Sequence, residues 1–216
     1  TTVRAIAAAV PATGVKLSPS FPHDHVPAGA EAQWTSWDGT VLECAVWFGP
    51  LARRSGRSAR VLGPGRDPIE VDESMAQPDP PAASSLADVG LWLHEADRAV
   101  LRAGLIGAVT GAVDGVEVDP GLGYVLTSSS ASVPFARRYA VHEAMPFSVK
   151  SLRGWLRARG ITGLTIKKRG VRLDEDQLRR SLKVGRGAGD GEQATVVLTR
   201  VAGQQVALVV SADNAP

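Results

Sequence analysis

Apolar and polar positions alternate over Thr162–Lys168, with Leu164 and Ile166 on one side and Thr165, Lys167 and Arg169 on the other. That period of two is the mark of a half-buried strand. Upstream, Tyr139–Met145 reads as a strand running into Pro146, and Ser148 stands where it can cap a helix that Gly160 ends after Arg159. Val149, Leu152 and Leu156 give this helix one apolar stripe, and Phe147 with Leu152 occupy the two positions of a hydrophobic staple. Asp174 is placed to cap a second helix, with Gln177 at the capping-box position and Leu173 and Leu178 as a second staple. Ala194–Val201 and Gln205–Ser211 are two further strands joined around Ala202-Gly203. The order βαβαββ predicts a two-layer module over 137–216 with both helices on one face of a sheet.

The first 136 residues show weaker periodicity. Val3, Ile6, Ala7 and Val10 share a helical face that Pro11 stops, and Thr13–Leu17 reads as a strand ending at Ser18-Pro19. Glu31–Trp37 and Thr40–Phe48 flank Asp38-Gly39, a strong hairpin signal, because both turn residues tolerate positive φ. Trp34 and Trp37 have opposite parity on this hairpin, so at most one should be fully buried. Ser58–Leu62 is a third strand-like run. Residues 63–87 hold five of the 14 prolines and read as a surface linker. Gly90–Val113 shows helical spacing interrupted near Asp97, Gly104 and Gly107, which makes 88–136 a helical connector. Residues 1–62 form a further α/β unit on this reading, and the whole is an α/β (α+β) chain.

Charge sharpens the division. Residues 1–136 carry 9 Lys/Arg against 15 Asp/Glu, a charge of −6, whereas residues 137–216 carry 15 against 7, a charge of +8. Only the second part is suited to a polyanion. Lys150, Arg153 and Arg157 stand at i, i+3 and i+7, opposite the apolar stripe of their helix. Lys167, Lys168 and Arg169 add charge at a strand end, and these six residues are the candidate phosphate contacts. The competing explanation is a solvated face, since basic residues also suit the last turn of a helix. A stacking-aromatic signature is absent from the module.

Elsewhere the chemistry is sparse. Phe21–His25 places His23, Asp24 and His25 in a loop after a strand, where α/β folds put ligands, so Lys16, His23 and Asp24 are candidate substrate-facing residues. A third ligand at metal-site spacing is not visible, and no metal is expected. The sequence holds no Gly-x-Gly-x-x-Gly after a strand, no P-loop and no Gly-x-Ser-x-Gly elbow. No apolar run of 18 residues occurs, so no membrane span is expected. The single Cys44 falls in a strand, fits a core position, and agrees with a reducing, cytoplasmic setting.

Several runs resemble a known family. Arg138-Tyr139 through Met145-Pro146-Phe147-Ser148, Leu152–Leu156 (LRGWL), Ile166–Val171 (IKKRGV) and Ala194–Arg200 (ATVVLTR) are similar to the THUMP-like domain. That domain closes a family of bacterial class I S-adenosylmethionine-dependent methyltransferases. Upstream, Val15–Pro19, Pro22-His23-Asp24, Gly29–Ala32, Trp47–Ala52, His94–Asp97 and Arg102–Leu105 resemble the segments C-terminal to the catalytic motifs in those enzymes. The resemblance implies a partial Rossmann-like methyltransferase sheet over 1–62 and a THUMP-like domain over 137–216. It further implies S-adenosylmethionine as cofactor of the full-length protein, methyl transfer to RNA, and RNA binding by the THUMP-like part. It places the glycine-rich cofactor loop, the acidic ribose ligand and the Asp-Pro-type catalytic segment before residue 1, so no cofactor-binding or catalytic residue can be assigned here. The alternatives are a non-catalytic RNA-binding module and a protein-interaction domain with a solvated basic face.

Overall fold

A computed structural model describes residues 2–186 and 192–213. Its elements are α1 (Thr2–Ala9), β1 (Gly14–Leu17), β2 (Glu31–Trp37), β3 (Thr40–Trp47), β4 (Gly56–Leu62), β5 (Ile69–Asp72), β6 (Trp92–Ala96), α2 (Arg98–Arg102) and α3 (Ile106–Val113). They continue with β7 (Val116–Glu117), β8 (Tyr124–Thr127), β9 (Ala136–Pro146), α4 (Val149–Ala158), β10 (Ile161–Lys168), α5 (Glu175–Leu182), β11 (Gly185–Arg186), β12 (Glu192–Val201) and β13 (Gln204–Ala212). The chain divides into two compact units. One holds residues 1–80, 95–114 and 131–137; the other holds 81–94, 115–130 and 138–216.

In the first unit a five-stranded sheet runs β1-β3-β2-β4-β5. Only the β2–β4 pair is parallel; β1–β3, β2–β3 and β4–β5 are antiparallel. The β2–β3 hairpin closes through Asp38 and Gly39, at φ 46° and 75°, as the Asp-Gly dipeptide predicts. Trp34 is fully buried and Trp37 is half exposed, as their parity requires. Cys44 lies in the core, where burial first and then the Glu43 charge push its thiol up to about 12, which leaves it unreactive.

Two stretches differ from their sequence reading. Residues 63–87, read as linker from their prolines, contain β5, which pairs with β4 from Ser58↔Asp72 to Val61↔Ile69. Ion pairs from Arg54 to Glu70 and Asp72, and from Arg57 to Glu73, tie this strand down. The expected helix of Gly90–Val113 begins only at Arg98, because Asp97 caps it by accepting from the Ala99 N–H at 2.8 Å. Residues 92–96 before that cap form β6, a strand inserted between β9 and β8.

The second unit carries an eight-stranded sheet, β11-β10-β12-β13-β9-β6-β8-β7, to which the βαβαββ module supplies β10-β12-β13-β9. The β10–β12 pair is parallel, while β12–β13 and β13–β9 are antiparallel. Both predicted caps form, with Ser148 accepting from the Ser151 N–H at 3.0 Å and Asp174 from the Gln177 N–H at 2.9 Å. Helices α4 and α5 cover one face, burying Leu152, Leu156, Leu178 and Leu182 with Leu164, Val196, Leu198 and Val209. Each such leucine contributes about 1.5–3 kcal/mol through removal from water. Phe147 and Leu173, the outer halves of the two staples, pack on the same cluster. The other face packs Leu93, Val118, Leu122, Tyr124, Leu126 and Tyr139 against Val197, Val201, Val206, Leu208 and Val210. The module thus gains a second core layer from β6–β8, which its own sequence pattern does not announce.

Candidate functional site

On α4, Lys150 and Arg157 are exposed and hold neither a hydrogen bond nor an ion pair with any described residue. Arg153 is half buried and donates from Nη1 to the Ser181 carbonyl at 3.3 Å, which joins α4 to α5. These three cations share one helical face, away from the leucines that seat the helix. Trp155 is not offered for stacking. Its Nε1 donates to Glu143 at 3.3 Å, and the Arg159 guanidinium lies 4.2 Å from its ring centroid.

The strand-end triplet has different neighbours. Lys167 Nζ donates to the Tyr139 hydroxyl at 2.6 Å and sits 4.9 Å from the ring centroid. Lys168 Nζ donates to the Leu173 carbonyl at 2.6 Å, which ties the strand end to the segment leading into α5. Arg169 Nη1 donates to the Leu122 carbonyl at 2.9 Å while its guanidinium covers Tyr124 at 4.8 Å. All three charges are engaged within the second unit, where Lys168 is exposed and Lys167 and Arg169 are half buried. Replacing Arg169 by Ala is therefore expected to cost about 1–3 kcal/mol of stability in urea titrations, since it removes both a hydrogen bond and a cation–ring contact. An unchanged stability would mean that these two contacts do not hold the segment in place.

In the first unit, Lys16 lies on the terminal strand β1, largely exposed, with its Nζ 3.2 Å from Glu43. His23 and Asp24 fall in an exposed 3-10 turn, and among the described residues no hydrogen bond or ion pair joins them to Lys16. The imidazole of His23 instead lies against Gly104, where a Cβ would come within 2.0 Å of it and 2.6 Å of Arg57 Nη1. Gly104 also has φ +69°, so both the bend after α2 and the approach of His23 require glycine there. Arg57, itself paired with Glu73, is a polar neighbour of His23 that spacing could not reveal across 34 residues. No group of three or more His, Cys, Asp or Glu side chains able to hold a metal occurs among the described residues. No helix is long and apolar enough to cross a membrane.

A two-layer βαβαββ sheet module with its helices on one face and a basic helix on the surface defines the class of the second unit. Residues 136–212 match the family described as THUMP domain-like, and the chain carries a THUMP-like domain. The chain is also related to S-adenosylmethionine-dependent methyltransferases. It is 34% identical over 174 residues to uncharacterised proteins of that description from two strains of Mycobacterium tuberculosis, which covers 79% of the chain and 44% of each relative. A crystal structure of a methyltransferase candidate from Porphyromonas gingivalis superposes with a TM-score of 0.74 at 18% identity, over 97% of this chain and 54% of the other. That likeness shows a shared mixed α/β fold with two sheets and few helices. The chain spans less than half the length of the curated relatives it matches.

Proposed function

We propose that this chain is the C-terminal portion of an S-adenosylmethionine-dependent methyltransferase acting on RNA, with the THUMP-like domain holding the nucleic-acid substrate. The observation that carries the RNA part is the exposed cationic face of α4 in a module of charge +8. The cofactor would supply a methyl group when bound, and on this reading its glycine-rich loop belongs to the part of the relatives that this chain does not span. On this reading residues 1–62 extend the sheet of the cofactor-binding half. What this chain contributes is the seating of a phosphate backbone, by charge and without base stacking.

Calorimetry tests the division of labour. This 216-residue chain is expected to give no heat of binding with S-adenosylmethionine, whereas a chain extended to the relatives' full length binds it. Micromolar binding by the present chain alone would overturn the placement of the cofactor site. RNA affinity should fall steeply with salt, by about one unit of log–log slope for each phosphate contact; a flat dependence would favour a protein-interaction role for the same face.

A further inference from the structure

We infer that the exposed face of α4 is a seat for an RNA phosphodiester backbone, with Gly154 as its floor and Lys150, Arg153 and Arg157 around it. The inference rests on the RNA reading above and assigns its contact surface. Gly154 stands in the middle of a ten-residue helix. Glycine there weakens a helix relative to alanine, because it gives up more backbone freedom on ordering. Nothing among the described residues requires it. Its φ is not positive, and a Cβ at this position would meet no atom within 4 Å.

A partner explains the position. Lys150 lies four residues before Gly154 and Arg157 three after, so all three residues stack on one stripe with Arg153 at its margin. Without a side chain at 154, a sugar–phosphate chain can come down onto the helix between the two free cations. Arg153, anchored through Nη1 to Ser181, stays fixed beside that path. Two acids of the module already have countercharges elsewhere: Glu175 is paired with Arg179, and Glu143 lies 3.9 Å from Arg159. With Trp155 covered by Arg159, the seat offers charge and depth but no ring for a base to stack on. It should hold backbone geometry with little regard for sequence.

The test uses anisotropy of a fluorescein-labelled RNA hairpin titrated with the full 216-residue chain over a potassium chloride series, with thermal unfolding in parallel. Gly154→Ala should raise the unfolding midpoint. Gly154→Leu should keep the fold and weaken binding about tenfold, by standing between the cations. The Lys150→Gln/Arg157→Gln pair should lower the salt slope by about two units. Wild-type binding that Gly154→Leu leaves unchanged, or a slope unaltered by the double change, would overturn this seat while sparing the RNA reading. Absence of salt-dependent binding by the wild type would sink the RNA reading, and the seat with it.

Discussion

Replacing His94 by Leu is expected to stabilise the chain at neutral pH and to remove part of its sensitivity to acid. His94 is fully buried on β6, and neither Nδ1 nor Nε2 has a hydrogen-bond partner. A neutral imidazole so placed leaves one donor and one acceptor unsatisfied, at a cost of about 1–3 kcal/mol each. Burial, and after it the positive charge of Arg138, hold its pKa down from 6.5 to about 4. The unfolded chain therefore takes up a proton near pH 6.5 that the folded chain refuses until about pH 4. Stability from this group is complete above the unfolded value and declines as pH falls through that window, by on the order of 3 kcal/mol in all. Urea unfolding of wild type and His94→Leu across the window measures the difference. The gap between them should widen in favour of the variant as pH falls, and parallel curves would show that His94 does not titrate in this way.

How much of the fold is legible in the sequence depends on whether a signal and its cause lie close together. The caps at Ser148 and Asp174, the staples and the Asp38-Gly39 turn are local agreements between residue type and backbone, and each appears in the structure. The same logic holds at Asp97, but the apolar spacing on both sides of it resembles one interrupted helix, which hides β6. Ile69–Asp72 alternates as a strand should, yet four residues among prolines give a weak signal until β4 and the arginines at 54 and 57 supply its partners.

The site is legible in part for the same reason. Helical spacing places Lys150, Arg153 and Arg157 on one face, because spacing alone determines that. It also makes Lys167, Lys168 and Arg169 look equivalent to them. Their distinction comes from Tyr139, Leu173, Leu122 and Tyr124, three of which lie 28 to 47 residues away and have no local signature. A run of cations marks where charge is, and the tertiary fold decides which of those charges already has a partner within the chain.

Removing the side chain of Arg53 should destabilise the first unit in a pH-dependent way. Glu31 begins β2 with a relative exposure of 1%. Its carboxylate accepts from the Arg53 N–H at 2.6 Å, from Nε at 3.2 Å and Nη2 at 2.8 Å, and from the Arg54 N–H at 3.5 Å. Burial alone would raise its pKa, but the Arg53 side chain and N–H, the Arg53 charge and the Arg54 N–H together bring it below the ordinary carboxylate value. In the wild type this group lends stability above its unfolded pKa and loses it as pH falls through the lower folded value. Arg53→Ala leaves the two backbone donors and takes away the countercharge, so the cost at neutral pH should be about 2–3 kcal/mol. With the arginine gone, burial dominates and the pKa of Glu31 moves upward, so the variant gains by protonation what the wild type loses. The penalty of Arg53→Ala should accordingly shrink as pH falls through the carboxylate range, and it should shrink far less in a Glu31→Gln background. Trp34, buried in the same strand, reports the unfolding by fluorescence; a penalty that stays constant with pH would mean that Glu31 is held by its backbone donors and not by Arg53.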